Sequence, residues 1–296
     1  MNYYLGIDVG SINVKLALRD ETGRTLHFAS QKIISNPKTT VNVLLNELDR
    51  SRALNQITGV GVSGTGKAII PQDYHWAEYS SSLAIASGLL HSDPDVRTII
   101  QIGGQSSLVI ELEDGLKKPW KVASNPLCAA GTGRFLEQQA YRLGIRIEDF
   151  GPLALQFQGS APRIAARCSV FAKSDLIHLQ QKGVSVEAMI YALCESIARM
   201  VIALKKGPFI EPVYFVGGVA ANGAIAKALN YEVYWKLPNN YRALINAINS
   251  GKPLVTVNNS ALVASYMKLA HRLTGKPEQE SKSGRGSLLR RMFPSS

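Results

Sequence analysis

Gly6-Ile7-Asp8-Val9-Gly10-Ser11 is the stretch of sequence that decides the fold. Residues 3–9 alternate in the manner of a β-strand, the alternation breaks at Gly10, and a second apolar run starts at Val14, which predicts a β-hairpin. The pattern returns at a constant offset as Ile100-Gln101-Ile102-Gly103-Gly104, again followed by an apolar run. A repeat of this length predicts two related α/β domains and not a solenoid, which requires three or more short copies.

Each half continues from its hairpin into helices and a further strand. We expect a first domain over residues 1–94, completed by a helix near 259–273, and a second domain over 95–258. Residues 275–296 are rich in Gly, Ser, Pro and positive charge, which predicts a disordered basic tail. The other predicted elements are helices over 40–52, 77–90, 133–144, 169–182, 186–205, 221–229 and 241–250, and strands over 56–62, 213–216 and 231–235.

The glycine turns predict phosphate binding, because a turn without side chains lets backbone N–H groups approach phosphate oxygens. Asp8, at the strand end, is a candidate to hold Mg²⁺ through water, and Lys15 on the returning strand is a candidate phosphate contact. A third turn, Gly217-Gly218, is suited to an adenosine moiety. The competing interpretations are a hairpin turn capped by Asp8 and a tight strand–helix connection.

The segment from Gly59 to Lys67 matches two other nucleotide-binding patterns, the dinucleotide fingerprint and the P-loop. Ala68 stands where a P-loop has the Ser or Thr that holds Mg²⁺, and Pro71 interrupts the helix that a P-loop requires. The dinucleotide fingerprint requires a βαβ unit, and no full βαβ unit starts the chain. Neither pattern is therefore favoured, and a contribution of this loop to the nucleotide cleft stays open.

Two cysteines precede helix patterns. Cys128 stands before the Gly131-Thr132-Gly133 turn, and Cys168 opens the helix pattern that follows it. A helix N-terminus favours a thiolate. One chain offers two such thiolates, whereas an iron–sulfur cluster commonly takes about four ligands, and a two-fold dimer would supply them. The alternative is a pair of small buried side chains, which is the prediction for Cys194 among its apolar neighbours.

Composition narrows the function classes. The chain has 46% hydrophobic and 19% charged residues, as a folded globular protein does, and a net charge of +11. Such a charge is typical of proteins that bind nucleic acid, an acidic protein or a polyanionic ligand such as a nucleotide. The sequence has no zinc-finger or aromatic–basic RNA signature, so we expect no nucleic-acid partner. It also has no apparent signal peptide or transmembrane segment, and we expect a cytoplasmic protein.

Taken together, these motifs resemble the BadF/BadG/BcrA/BcrD-type ATPases, the activators of 2-hydroxyacyl-CoA dehydratases and benzoyl-CoA reductases. That family belongs to the acetate kinase, Hsp70 and actin superfamily. The resemblance covers about residues 4–272. Its most specific stretch is 128–135, followed by 168–172 and 217–220, whereas 6–11 is shared with the superfamily.

The resemblance implies two duplicated ribonuclease H-like (actin-like ATPase) domains around a nucleotide cleft that binds ATP or ADP with Mg²⁺. It also implies a homodimer bridged by a 4Fe-4S cluster on Cys128 and Cys168 of each subunit, with ATP changing the angle between the helices that follow them. The electron would pass from ferredoxin or flavodoxin through the cluster to a CoA-ester dehydratase or reductase. Asp8 and Gln101 would be catalytic. The nucleotide contacts would be Gly10, Ser11, Lys15, Gly103, Gly104, Gln105, Gly131, Thr132, Gly133, Gly217, Gly218 and Asn222.

The sequence departs from the family pattern at three positions. Gln101 and Ser106 stand where the family usually has Asp, and Lys173 stands at a usually acidic position. Glutamine can orient water but cannot act as a base, so hydrolysis would be slow or would depend on Asp8 alone. Two alternatives stay open: an ATP-binding regulator with weak or no hydrolysis, and a small-molecule kinase of the same superfamily in which the cysteines are incidental.

Overall fold

The computed structural model describes residues 2–49, 57–71, 75–125, 132–166, 168–205 and 207–229. Several predictions lie outside these residues: the elements near 231–273, the helix that would complete the first domain, the tail, Cys128 and Gly131. Among the described residues, no helix is both long and apolar enough to cross a membrane.

The first described sheet has five strands in the order β3-β2-β1-β4-β5. β1 pairs antiparallel with β2 and parallel with β4, so the predicted first hairpin is confirmed. The strands are β1 (Tyr3–Val9), β2 (Asn13–Asp20), β3 (Thr25–Lys32), β4 (Ile57–Ser63) and β5 (Ala77–Glu78).

The second described sheet has four strands in the order β8-β7-β6-β9. β6 pairs antiparallel with β7 and parallel with β9. Each sheet is therefore an antiparallel three-strand meander whose first strand has a later, parallel neighbour on its other side. This shared topology confirms the duplication predicted from sequence. The strands are β6 (Thr98–Ile102), β7 (Ser107–Glu111), β8 (Lys121–Ser124) and β9 (Val213–Val216).

Seven described helices cover the sheets. α1 packs on the first sheet through Leu44 and Leu48, and Ala86 of α2 packs on the second sheet. α3 to α7 cover the other face of the second sheet, where the core centres on the long apolar helix α6. They are α1 (Pro37–Asp49), α2 (Ser81–Ser92), α3 (Gly133–Arg142), α4 (Ile147–Gln156), α5 (Ser169–Gln181), α6 (Val186–Leu204) and α7 (Gly223–Ala228).

The prediction of a helix from Ala77 was wrong at its start. Ala77 and Glu78 instead pair with β4 as a short strand. The helix begins at Ser81, because the hydroxyl of Ser80 accepts a hydrogen bond from the Leu83 N–H at 3.2 Å and so caps it. Neither β8 nor α4 was predicted from the sequence.

Candidate nucleotide site

Asp8 stands at the end of β1 and has two partners within the first sheet. Its Oδ2 lies 2.9 Å from Nζ of Lys15, and the hydroxyl of Ser63 donates to its Oδ1 at 3.3 Å. The carboxylate stays about one third exposed. Beyond it, the N–H of Gly10 donates to the carbonyl of Asn13 at 3.0 Å and closes the first glycine turn. A charged, partly exposed carboxylate thus lies directly beside this turn.

The second glycine turn has the same backbone hydrogen bond. The N–H of Gly103 donates to the carbonyl of Ser106 at 2.8 Å, as Gly10 does to Asn13. The Gln101 amide bends over this turn, since a Cβ on Gly103 would lie 2.7 Å from Gln101 Nε2. Gln101 Oε1 is buried and has no hydrogen-bond partner in the described part of the chain. Such an acceptor requires an outside partner, for example a water molecule or a ligand.

The third turn follows β9 and packs closely against the end of β6, just before the second turn. Gly217 has φ of 96°, and a Cβ there would lie 2.3 Å from the carbonyl oxygen of Ile102, so only glycine fits. Gly218 beside it faces open space. Asn222 has structural contacts: Oδ1 caps α7 at Ala224 N, 3.0 Å away, and Nδ2 lies 3.7 Å from Sγ of Cys194. Its nucleotide contact stays a prediction.

The first two turns meet between the two sheets. A Cβ on Gly104 would lie 2.1 Å from Cγ1 of Ile12 and 3.1 Å from the hydroxyl of Ser11. This contact requires glycine at position 104. Gln105, the next residue, is exposed. The residues predicted to bind phosphate are therefore close together in space, although they come from different halves of the chain.

Helix α3 is attached to the second turn by its first two residues. The N–H of Gly133 donates to the carbonyl of Gly103, and the N–H of Arg134 to that of Gly104, each at 2.9 Å. A Cβ on Gly133 would also lie 3.2 Å from Cγ2 of Val219, in the third turn. Thr132, the residue before the helix, is buried. The helix that follows the Cys128 segment therefore begins where the second and third turns meet.

Cys168 lies at the N-cap position of α5, as the sequence predicts, and is partly buried. The first turn of this helix exposes Val170, Phe171 and Lys173 to solvent. At the other end, Nη1 of Arg142 donates to Oε1 of Gln180 at 2.9 Å and so joins the ends of α3 and α5. Within the described ranges, no three His, Cys, Asp or Glu side chains form a group able to hold a metal.

Cys194 is confirmed as a core residue. It is fully buried in α6, and this burial raises the pKa of its thiol to about 12. A thiol with such a pKa stays protonated at neutral pH and is a poor metal ligand. Cys194 thereby provides a matched control for the other two cysteines.

The Gly59–Lys67 segment does not form a P-loop. The residues after Gly66 form only a short 3-10 helix, Lys67–Ile69, and Lys67 pairs with Glu78. Gly64 nevertheless contacts the first turn, since with φ of 97° its Cβ would lie 2.3 Å from the carbonyl of Val9. Sequence reasoning did not assign four residues to the site. They are Ser63, whose hydroxyl donates to Asp8, and Lys32, Arg134 and Glu137, which line a cleft with Ser11.

Comparison of the sequence with known proteins points to a single family of ATPases. A model of the BadF/BadG/BcrA/BcrD ATPase family matches residues 5–247. The (R)-2-hydroxyglutaryl-CoA dehydratase activating ATPase of Acidaminococcus fermentans is 32% identical over 246 residues, which cover 78% of this chain and 90% of that protein. One of the subunits of benzoyl-CoA reductase from Thauera aromatica is 26% identical over 244 residues, which cover 79% of this chain and 84% of that protein.

Solved structures agree with the sequence comparison. The activator of the 2-hydroxyisocaproyl-CoA dehydratase from Clostridium difficile, solved with bound ADPNP, matches 94% of this chain and 100% of its own. The TM-score is 0.68 at 26% identity. The fold is thus the two-domain actin-like ATPase fold expected from the sequence, and the chain belongs to the BadF/BadG/BcrA/BcrD ATPase family.

Proposed function

We propose that this protein is an ATP-dependent reductive activator. It hydrolyses ATP at the paired glycine turns and passes a low-potential electron to a partner enzyme that dehydrates or reduces a CoA ester. The observation that carries the proposal is the attachment of α3 to the second glycine turn, through the 2.9 Å bonds from Gly133 to Gly103 and from Arg134 to Gly104. A nucleotide that moves this turn moves the helix that follows Cys128.

The nucleotide part of the proposal assigns a role to each turn. The Gly10 and Gly103 turns hold the phosphates by backbone N–H groups, and the Gly217-Gly218 turn holds the adenosine. Asp8 holds Mg²⁺ through water, since Mg²⁺ sheds its waters reluctantly, and Lys15 can then turn from Asp8 to a phosphate oxygen. The dehydratase activator solved with ADPNP supports nucleotide binding at this fold.

Gln101 is the residue we assign to the attacking water. Its buried Oε1 lacks a partner among the described residues and is available to accept a hydrogen bond. An amide orients water without removing its proton. The proton must therefore pass to Asp8 or to the phosphate itself, and we expect slow turnover.

The cysteines fit an iron–sulfur cluster by donor chemistry, because thiolates are soft ligands. Cys168 lies at a helix N-cap, does not use its side chain to cap the helix, and is partly buried. With Cys128 it gives two thiolates per chain, so that two chains complete a 4Fe-4S site. When bound, such a cluster stores one electron at low potential. The net charge of +11 favours encounter with an acidic electron carrier such as ferredoxin or flavodoxin.

Anaerobic purification with iron and acid-labile sulfide analysis tests the proposal. We expect about four irons per dimer, lost in both Cys128→Ser and Cys168→Ser. Cys194→Ala is the matched control and keeps the iron, since that thiol is buried in the core. Iron-free wild-type protein, or full iron in either serine variant, contradicts the cluster assignment.

A nucleotide-binding regulator that barely hydrolyses ATP is the second candidate, and Gln101 favours it. The measurement that separates the two is the ATPase rate of the anaerobic, iron-loaded protein with and without the reduced electron donor. An activator shows steady turnover. A regulator binds ADPNP and ATP equally well and releases almost no phosphate.

A further inference from the structure

A cleft of about 340 Å³ lies beside the meeting point of the two phosphate turns. Ser11 and Ile12 of the first turn and the end of β3 form one wall, and α3 forms the other. The wall that the first half of the chain provides is held together by a 2.7 Å hydrogen bond from the N–H of Ile33 to the carbonyl of Ile12. Arg134 lines the opposite wall, so it shares the cleft with Ser11.

The Arg134 side chain is exposed, and its guanidinium has no ion-pair or hydrogen-bond partner among the described residues. A common partner for such a side chain is a carboxylate three residues later on the same helix, which here is Glu137. Glu137 is instead held across the cleft by Lys32, with Oε1 3.0 Å from Nζ. The Lys32–Glu137 pair thus keeps this carboxylate away from Arg134 and leaves the guanidinium available to the phosphate turns.

The Arg134 backbone is also fixed, at the second glycine turn. Its N–H bonds to the carbonyl of Gly104, and Gly104 is the residue packed against Ser11 and Ile12. The side chain therefore starts from the junction of both turns. A guanidinium there matches the geometry of a phosphate group, which it binds through two parallel N–H donors.

We propose that Arg134 binds the terminal phosphate of ATP and is the residue by which this protein distinguishes ATP from ADP. This inference rests on the proposed function, since it requires nucleotide at the glycine turns. Because Arg134 is the second residue of α3, loss of the terminal phosphate would remove the side-chain contact between that helix and the nucleotide, while the backbone bonds to Gly103 and Gly104 would remain.

The test is the affinity of the full-length protein for ADPNP and for ADP, measured by calorimetry with Mg²⁺. In Arg134→Ala we expect the affinity for ADPNP to fall about tenfold or more, as for a lost charge-assisted hydrogen bond, with ADP binding unchanged. Arg146→Ala is the matched control and keeps both affinities, since it removes an exposed arginine whose ion pairs are with Glu148 and Asp149 at the start of α4. Equal losses for the two nucleotides in Arg134→Ala, or no loss, overturn the proposal.

A second variant leaves Arg134 unchanged and tests whether its guanidinium must be free of Glu137 in order to bind phosphate. Lys32→Ala releases Glu137 to pair with Arg134, so we expect ADPNP affinity to fall about twofold to fivefold, the range of a surface ion pair. Adding Glu137→Gln restores it, and failure of that rescue counts against the role of the pair.

If the wild-type protein binds neither nucleotide, the proposed function itself fails. If it binds both and Arg134→Ala keeps their affinity ratio, only this inference fails.

Discussion

The two halves of the repeat carry different residues at the equivalent positions Asp8 and Gln101, each near the end of its first strand. Asp8 pairs in register with Lys15, and the lysine ammonium compensates the carboxylate. The register partner of Gln101 across β7 is Leu108, which offers no charge. A carboxylate at position 101 would thus depend on Mg²⁺ for compensation, whereas a neutral amide does not. The local environment of β6 therefore tolerates glutamine better than it would tolerate an unpaired aspartate.

Gln101→Asp should raise the ATPase rate about tenfold or more, because the carboxylate can accept the proton of the attacking water. The gain should appear only with saturating Mg²⁺, which compensates the charge. Gln101→Asn, equal in length to aspartate but uncharged, is the control and gives no gain. An unchanged rate in Gln101→Asp would show that hydrolysis is limited elsewhere.

His27 on β3 predicts a pH dependence of stability. Burial lowers the pKa of its imidazole below the ordinary 6.5, and Glu47 opposes this shift in part. The unfolded chain then binds more protons than the folded one below about pH 6.5, so the free energy of unfolding falls as pH is lowered through that window. In His27→Gln this contribution is lost. Urea unfolding at pH 7.5 and pH 5.5 measures it, and an identical pH slope in both proteins would contradict it.

At the level of elements, the repeat extends further than the hairpins that revealed it. Gly64 follows β4 and Gly217 follows β9, with φ of 97° and 96°. Each would place a Cβ 2.3 Å from the carbonyl of the last residue of the neighbouring first strand, Val9 or Ile102. Two turns more than a hundred residues apart thus each place a glycine, in the same left-handed conformation, against the carbonyl at the end of the neighbouring strand. This correspondence supports an ancestral duplication of the whole sheet.

Gly217→Ala should lower the free energy of unfolding by about 2 kcal/mol or more, because it combines a left-handed backbone with a backbone clash. Gly218→Ala is the matched control: nothing lies within 4 Å of its Cβ position, and we expect a change of less than about 0.5 kcal/mol. Urea denaturation of both variants provides the comparison. Equal losses would mean that the third turn is not confined as described.

The elements also show which parts of the structure could be predicted from sequence. β9 and the first hairpin were predicted because strand periodicity is local. α4 was not predicted, since Gly151 and Pro152 interrupt its helical pattern; the glycine is needed where α4 approaches Asn222, whose Oδ1 would lie 3.0 Å from its Cβ. The cleft beside Arg134 depends on the contact of Lys32 with Glu137, which is 105 residues further along the chain, and no local pattern carries such information.

At the scale of the whole molecule, the proposed cluster requires a second copy of the chain, and the first turn of α5 is suited to an interface. Val170 is 64% exposed and Phe171 66% exposed, and they stand two and three residues after Cys168. Covering such side chains stabilises association by roughly 1.5–3 kcal/mol for a fully buried phenylalanine. If the two copies of this helix faced each other across a two-fold axis, their exposed Lys173 side chains would repel. That repulsion would be relieved if a reduced, more negative cluster lay between the subunits.

Phe171→Ser should therefore weaken the dimer and remove the iron together, because the proposed interface and the proposed cluster share this surface. We expect the dissociation constant to rise about tenfold or more, measured by sedimentation of anaerobic protein, with iron content falling in proportion to the monomer fraction. Ile210→Ser is the control, since Ile210 is 50% exposed but lies beside Thr98, at the far end of β6 from the phosphate turn. A dimeric, iron-loaded Phe171→Ser protein would place the interface elsewhere, and an iron-loaded monomer would refute shared ligation. Loss of iron with the dimer intact would show that Phe171 protects the cluster without joining the subunits.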